Sequence, residues 1–225
     1  MDNGVLSGTS NLVVYGTRAW SGKWAQARIC NPGDPRMARP RVYLAGPEVF
    51  LPDAVAKGRE KCAVAGEMGF DGVFPLDAAL DLSGLSKLEQ ARRISLANEG
   101  LMRTCDALIA NLTPFRGVSM DAGTAFEVGF MRALGRPVAG FANVTDDYAT
   151  RARAFRAARR IPGDCDGPDV EVEDFGLGEN LMIEIAIIES GLSVARATVA
   201  PGQEMRDLTA FRTALAGLRS VLDKA

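Results

Sequence analysis

The segment Asp106-Ala-Leu-Ile-Ala-Asn-Leu constrains this chain most, because its middle is apolar at successive positions and not only at alternate ones. A strand with one wet face alternates apolar and polar residues, whereas a run apolar throughout is expected of a strand covered on both faces. Similar short runs stand at Val42-Tyr-Leu-Ala-Gly, ended by Gly46-Pro47, at Gly72-Val-Phe-Pro, and at Pro137-Val-Ala-Gly-Phe. Between them lie an amphipathic stretch from about Ala54 to Met68 and helical patterns from about Lys87 to Arg103 and Gly123 to Leu134. This alternation predicts parallel βαβ units, hence an α/β three-layer sandwich with a central parallel sheet, flavodoxin-like or Rossmann-like. Ligands in such sheets bind in loops at the carboxyl ends of the strands.

Beyond the fourth strand, Tyr148 to Arg160 reads as a basic helix with a solvated face. Val170-Glu-Val-Glu reads as a short edge strand, Asn180 to Gly191 as a very apolar helix, and Gln203 to Leu222 as an amphipathic closing helix. Residues 1–36 differ, with Gly, Ser, Asn and Pro interrupting any period. They are expected to form a loosely ordered N-terminal extension outside a domain spanning 37–225, with Met37 as a candidate translation start.

Composition removes whole classes of mechanism. The chain has no histidine, so imidazole cannot serve as base, acid or metal ligand. Twenty-six Lys+Arg against 28 Asp+Glu leave a net charge of −2, which offers no footprint for nucleic acid or an anionic membrane. Cys30, Cys62, Cys105 and Cys165 are scattered, with no C-x-x-C pair, and read as reduced thiols. No apolar run approaches the roughly 20 residues that span a bilayer, and no signal peptide is recognisable. A cytoplasmic protein without metal or cofactor, whose partners are small molecules or other subunits, is expected.

The chemistry is expected between Asp106 and Gly129. Glu127 sits in a helix whose other members, including Phe126, Val128, Phe130 and Met131, are almost all apolar. An unpaired buried carboxylate costs several kcal/mol, so Glu127 must be paired or face a cleft. Asp121 stands where that helix should begin and can cap exposed backbone N–H groups. At roughly 100° per residue the two carboxylates converge only if Asp121 lies outside the helix. Spacing alone leaves two readings open, a capping Asp121 with a solvated or paired Glu127, and a catalytic carboxylate pair. With no histidine triad, Walker loop or dinucleotide fingerprint, chemistry at an anomeric carbon survives the elimination.

Three segments then carry a family resemblance: Tyr43-Leu-Ala-Gly-Pro-Glu-Val-Phe, the Asp121-x-Gly-Thr-Ala-Phe-Glu-x-Gly core, and Asn180-Leu-Met-Ile-Glu. Their order and spacing over residues 40 to 195 resemble the nucleoside 2-deoxyribosyltransferase family. The resemblance implies exchange of the base of a 2′-deoxynucleoside for a free nucleobase, by double displacement through a deoxyribosyl-enzyme ester. It implies Glu127 as nucleophile at C1′, Asp121 as the carboxylate that binds and helps protonate the base, and Tyr43 as the holder of the nucleophile. Gly46, Asn98 and Gly123 fall within the implied substrate site. Asn98 stands where some members have aspartate and others asparagine. Asn180 and Met182 match residues supplied from a neighbouring subunit, which implies a homo-oligomer. The plainer readings are Asn180 as an N-cap and Met182 as core; Asn180 can satisfy both.

Two rivals stand beside the transferase. A 2′-deoxynucleoside 5′-monophosphate N-hydrolase would need a phosphate-binding loop after the first strand, where Pro47 and Pro52 lack donors and Glu48 repels, although Arg116 could reach a phosphate from the next loop. A non-catalytic nucleotide sensor would have no need of a carboxylate in an apolar helix.

Overall fold

The computed structural model describes residues 39–75, 80–158 and 169–224; the expectations for residues 1–36 and Met37 lie outside them. Five strands, β1 Arg41–Ala45, β2 Asp71–Val73, β3 Ala107–Asn111, β4 Val138–Ala142 and β5 Ala195–Arg196, form a single sheet in the order β2-β1-β3-β4-β5. Every neighbouring pair is parallel. The winding reverses between β1 and β3, the switch point at which doubly wound sheets open a crevice.

The helices are α1 Ala54–Glu67, α2 Lys87–Arg103, α3 Ala122–Ala133, α4 Tyr148–Ala158, α5 Leu181–Ile188 and α6 Thr209–Leu222. Successive strand residues point to opposite faces. Val42, Leu44, Ile109 and Phe141 thus pack with Val64 of α1 and with Phe211, Leu215 and Leu218 of α6. Tyr43, Leu108 and Ala110 face Met102 of α2, Val128 and Met131 of α3, and Ile187 of α5. Two cores, one on each face, explain why β3 is apolar without alternation. Each large apolar side chain so buried contributes about 1.5–3 kcal/mol.

The ends of elements follow local chemistry. The Ser86 hydroxyl accepts from Glu89 N at 3.2 Å and starts α2. Gly69, with φ 84°, lets the chain leave α1 and turn at once into β2.

Two expectations are corrected. Val170–Glu173 forms no strand, because Glu173 turns its carboxylate to the start of α5, accepting from Leu181 N at 2.6 Å; the sheet edge is the two-residue β5. The closing helix begins at Thr209, since Gln203–Asp207 is a turn tied down from below. Asn143, just past β4, donates to Glu204 O at 2.8 Å and Asp207 O at 3.0 Å, and Asn111 at the end of β3 lies 3.9 Å from Met205 Sδ. Asp53 occupies the N-cap position of α1, but its carboxylate pairs with Arg206 at 2.8 Å and caps nothing. This turn covers the carboxyl ends of β3 and β4, so ligand space remains on the side of α2 and α3.

Candidate active site

Tyr43 is fully buried in the middle of β1, on the face that meets α3. Its hydroxyl donates to Glu127 Oε1 at 2.8 Å. Burial, and after it the charge and hydrogen bond of Glu127, push the phenol far above its ordinary range, so it acts as a fixed donor. The Glu127 carboxyl is pushed up to about 7. Burial is the largest cause; the Tyr43 hydrogen bond pulls the other way, the Asp121 charge pushes up, and the Lys61 ammonium pulls down.

Helix α3 is less enclosed than its composition suggests. Thr124, Val128 and Met131 are its buried residues, whereas Phe126 is 58% exposed. Glu127 sits at the border of these faces and lines a cleft of about 420 Å³ between α2 and α3, together with Ser95, Asn98, Met102, Gly123 and Phe126. A second hollow, of about 380 Å³ beside α6 and β5, is lined by no ionisable side chain. The reactive groups therefore single out the α2–α3 cleft.

Asp121 lies outside α3 as its N-cap, accepting from Thr124 N at 3.1 Å, the arrangement needed for two carboxylates six residues apart to converge. Capping and coupling to Glu127 occur together. Gly123 keeps the space clear, because a Cβ there would stand 2.9 Å from Asp121 Oδ2. Asn98 and Gly123 thus share the cleft with Glu127. Gly46 has a packing role: a Cβ would meet Glu48 Oε2 at 2.0 Å and Asn111 Cβ at 2.9 Å.

The sequence reading missed Lys61. It is fully buried, pairs with Glu48 Oε1 at 2.7 Å, and faces the rings of Phe141 and Phe211 at 5.5 and 5.2 Å. Asn111 Nδ2 donates to the same Glu48 oxygen at 3.1 Å. Glu48 therefore does not confront a ligand with a free charge, which corrects the argument that it repels phosphate. Arg116, in the left-handed region at φ 58°, lays its guanidinium 4.7 Å from the Phe50 ring and 4.6 Å from that of Phe115.

Asn180 caps α5, its Oδ1 accepting from Met182 N at 3.0 Å, and its Nδ2 donates to Glu173 at 2.9 Å. Met182 is 72% exposed. Among the described residues neither hydrogen-bonds to Tyr43, Asp121 or Glu127. No helix among the described residues is long and apolar enough to cross a membrane.

A parallel sheet in flavodoxin order, with a tyrosine-held carboxylate in a cleft between α2 and α3, defines a doubly wound α/β protein. The sequence model of the nucleoside 2-deoxyribosyltransferase family matches residues 42–182, and the chain belongs to that family. The chain is similar to an uncharacterised protein of Schizosaccharomyces pombe, 32% identical over 200 residues, which cover 82% of this chain and 90% of that one. Among solved structures it is similar to a 2-desoxiribosyltransferase from Leishmania mexicana, at 31% identity and a TM-score of 0.50, covering 64% of this chain and 85% of the other.

Proposed function

We propose that the protein transfers a 2-deoxyribosyl group between nucleobases by a retaining double displacement. The observation that carries this reading is the Tyr43 hydroxyl donating to Glu127 Oε1 at 2.8 Å, inside a cleft. A carboxylate aimed by a buried donor, with its second oxygen left for reaction, suits a nucleophile at an anomeric carbon.

In the first step a Glu127 oxygen forms a bond to C1′ while the C1′–N bond breaks. The electron pair goes to the departing base, which takes a proton from Asp121. In the second step a nitrogen of the incoming base attacks C1′, the ester oxygen leaves, and the proton returns to Asp121. A 2′-deoxy sugar has no electron-withdrawing 2′-hydroxyl, which stabilises the cation-like transition state. With a carboxyl near 7, Glu127 exists as both acid and carboxylate at neutral pH, and only the carboxylate attacks.

Asn98 and Gly123 are proposed to contact substrate from the cleft walls. Asn180 and Met182 are proposed to serve the site of a neighbouring copy, in a homo-oligomer. The exposure of Met182, Ile185 and Ile188 along α5 supports this, since such a row is normally covered. Transfer outruns hydrolysis where the partner and the loops exclude water.

A second reading, hydrolysis of a 2′-deoxynucleoside 5′-monophosphate, is favoured by one observation: Glu48 is neutralised by Lys61 while Arg116 lies exposed on the next loop. Incubation with 2′-deoxyinosine and adenine separates the readings. Deoxyadenosine plus hypoxanthine supports the transferase, free deoxyribose without exchange refutes it, and turnover confined to the 5′-monophosphate supports the second reading.

A further inference from the structure

Glu179 is a buried carboxylate, 1% exposed, that the proposed reaction does not use. Its Oε1 accepts from the Ser119 hydroxyl, and from Asn180 N at 2.9 Å; its Oε2 accepts from Met120 N at 3.0 Å. Arg151 of α4 lies 3.7 Å from Oε2 and spans the same two segments, donating from Nε to Val118 O at 3.0 Å and from Nη2 to Gly178 O at 2.6 Å. The cation thus holds the carbonyls of Val118 and Gly178, and the anion holds the N–H groups of Met120 and Asn180. Together they staple the loop before Asp121 to the turn before α5.

We propose that Glu179, backed by Arg151, is the positioning residue that fixes Asp121 against the base, an inference that rests on the transferase reading. Residues 117–120 belong to no helix or strand. Within that loop Phe115 N donates to Ser119 O at 2.9 Å; the Met120 side chain packs in the core with Tyr43 and Val128, and the staple fixes the Ser119 hydroxyl and the Met120 N–H. Asp121 itself is anchored forward into α3, its Oδ2 accepting from Thr124 and its backbone carbonyl from Ala125 N at 3.0 Å, while its N-terminal side leads straight into the loop. Releasing the Met120 N–H loosens the approach to Asp121 from its N-terminal side, and a displacement of about 1 Å in a proton donor is enough to lose much of its effect. Asn180 depends less on the staple, because Glu173 holds its side chain at 2.9 Å and its Oδ1 is engaged by Met182 N. Loss of Glu179 therefore falls on protonation of the base and much less on binding of the sugar.

This effect has a signature that general loosening lacks. The base of 2′-deoxyinosine leaves well only when protonated, whereas that of 7-methyl-2′-deoxyguanosine already carries a positive charge and needs no proton. In Glu179→Gln, the single-turnover rate at which base is released in the absence of an acceptor is expected to fall at least tenfold with 2′-deoxyinosine and less than threefold with 7-methyl-2′-deoxyguanosine, with the half-saturating concentration of both nearly unchanged. Ser119→Ala removes one arm of the staple and should show the same selectivity at about threefold, which keeps the test open if Glu179→Gln does not fold. Equal losses on both substrates, or no loss on either, overturn the proposal while leaving the transferase reading intact. A wild-type protein that exchanges neither substrate overturns both.

Discussion

The Tyr43 hydroxyl and Glu127 Oε1, 84 residues apart in sequence, meet at 2.8 Å because β1 lies beside β3, whose following helix α3 packs back over the same face. Tyr43 has no freedom to leave, since its ring is fully buried between β1 and α3. The donor is therefore set before any substrate binds, which is the preorganisation a nucleophile requires.

Tyr43→Phe keeps the ring and removes this donor. The hydrogen bond holds the Glu127 carboxyl down against its burial, so its loss raises the carboxyl above about 7 and moves the acid limb of the kcat/KM profile to higher pH. A hydrogen bond to a charged group contributes about 1.5–3 kcal/mol, so kcat/KM at pH 7 should fall roughly 10- to 100-fold. A pH–rate profile checks the shift, and an acid limb that does not move would separate Tyr43 from the nucleophile.

Glu127→Gln should abolish both exchange and formation of the covalent ester, yet stabilise the fold. The folded carboxyl at about 7 lies above its ordinary value of 4.5. The protein therefore holds its proton more tightly than the unfolded chain, an advantage complete below pH 4.5 and lost as pH rises through 7. Above pH 7 the wild type bears the cost of a desolvated charge, with a ceiling of about 3 kcal/mol. Gln removes the charge and still accepts from Tyr43. At pH 8 the melting temperature should rise by roughly 2–6 °C, and at pH 4.5 the two proteins should melt together. Calorimetry at the two pH values tests this, and equal melting at pH 8 would contradict it.

Much of the fold was legible because strand burial on two faces leaves a continuous apolar trace, and α2 begins and ends where its period indicated, Lys87–Arg103. Two residues of β5 are too few to make any pattern, and Val170–Glu173 imitated a strand because Glu173 is drawn to the backbone of α5. At the site, Tyr43, Asp121 and Glu127 stand in recognisable motifs. Lys61 could not be read: a lysine in α1 normally faces water, and only the fold brings it to Glu48, beneath the rings of Phe141 and Phe211. Arg151 was hidden for the same reason, in a helix whose composition is that of a solvated face, with Glu179 28 residues away in sequence.

The Glu48–Lys61 pair makes a prediction about buried charge. Lys61→Met leaves Glu48 buried with Asn111 as its remaining donor, a loss of about 3–5 kcal/mol. Adding Glu48→Leu removes the stranded charge and should recover most of that loss, because apolar residues often replace a buried pair without cost. Urea unfolding of the single and double variants measures both. A double variant no more stable than Lys61→Met would mean that packing of the lysine stem, and not its charge, matters at this position.

Gly140, in the middle of β4, links packing to the proposed subunit-crossing residues. A Cβ there would come within 2.5 Å of Ile187 Cδ1 and 2.9 Å of Leu112 Cδ1, so the side chain that α5 rests on the sheet occupies the space this residue leaves open. In Gly140→Ala the overpacking costs about 1–3 kcal/mol, partly offset by about 0.4–1 kcal/mol from a stiffer unfolded chain. The strain is relieved by lifting α5, whose first turn presents Asn180 and Met182. Affinity for the deoxynucleoside should therefore weaken, with KM rising several-fold while kcat changes little. Ile187→Val deletes the clashing Cδ1, and in the Gly140→Ala background it should restore both the melting temperature and KM toward wild type. A double variant that remains as impaired as Gly140→Ala would show that the glycine is needed for the β4 backbone itself, independent of where α5 sits.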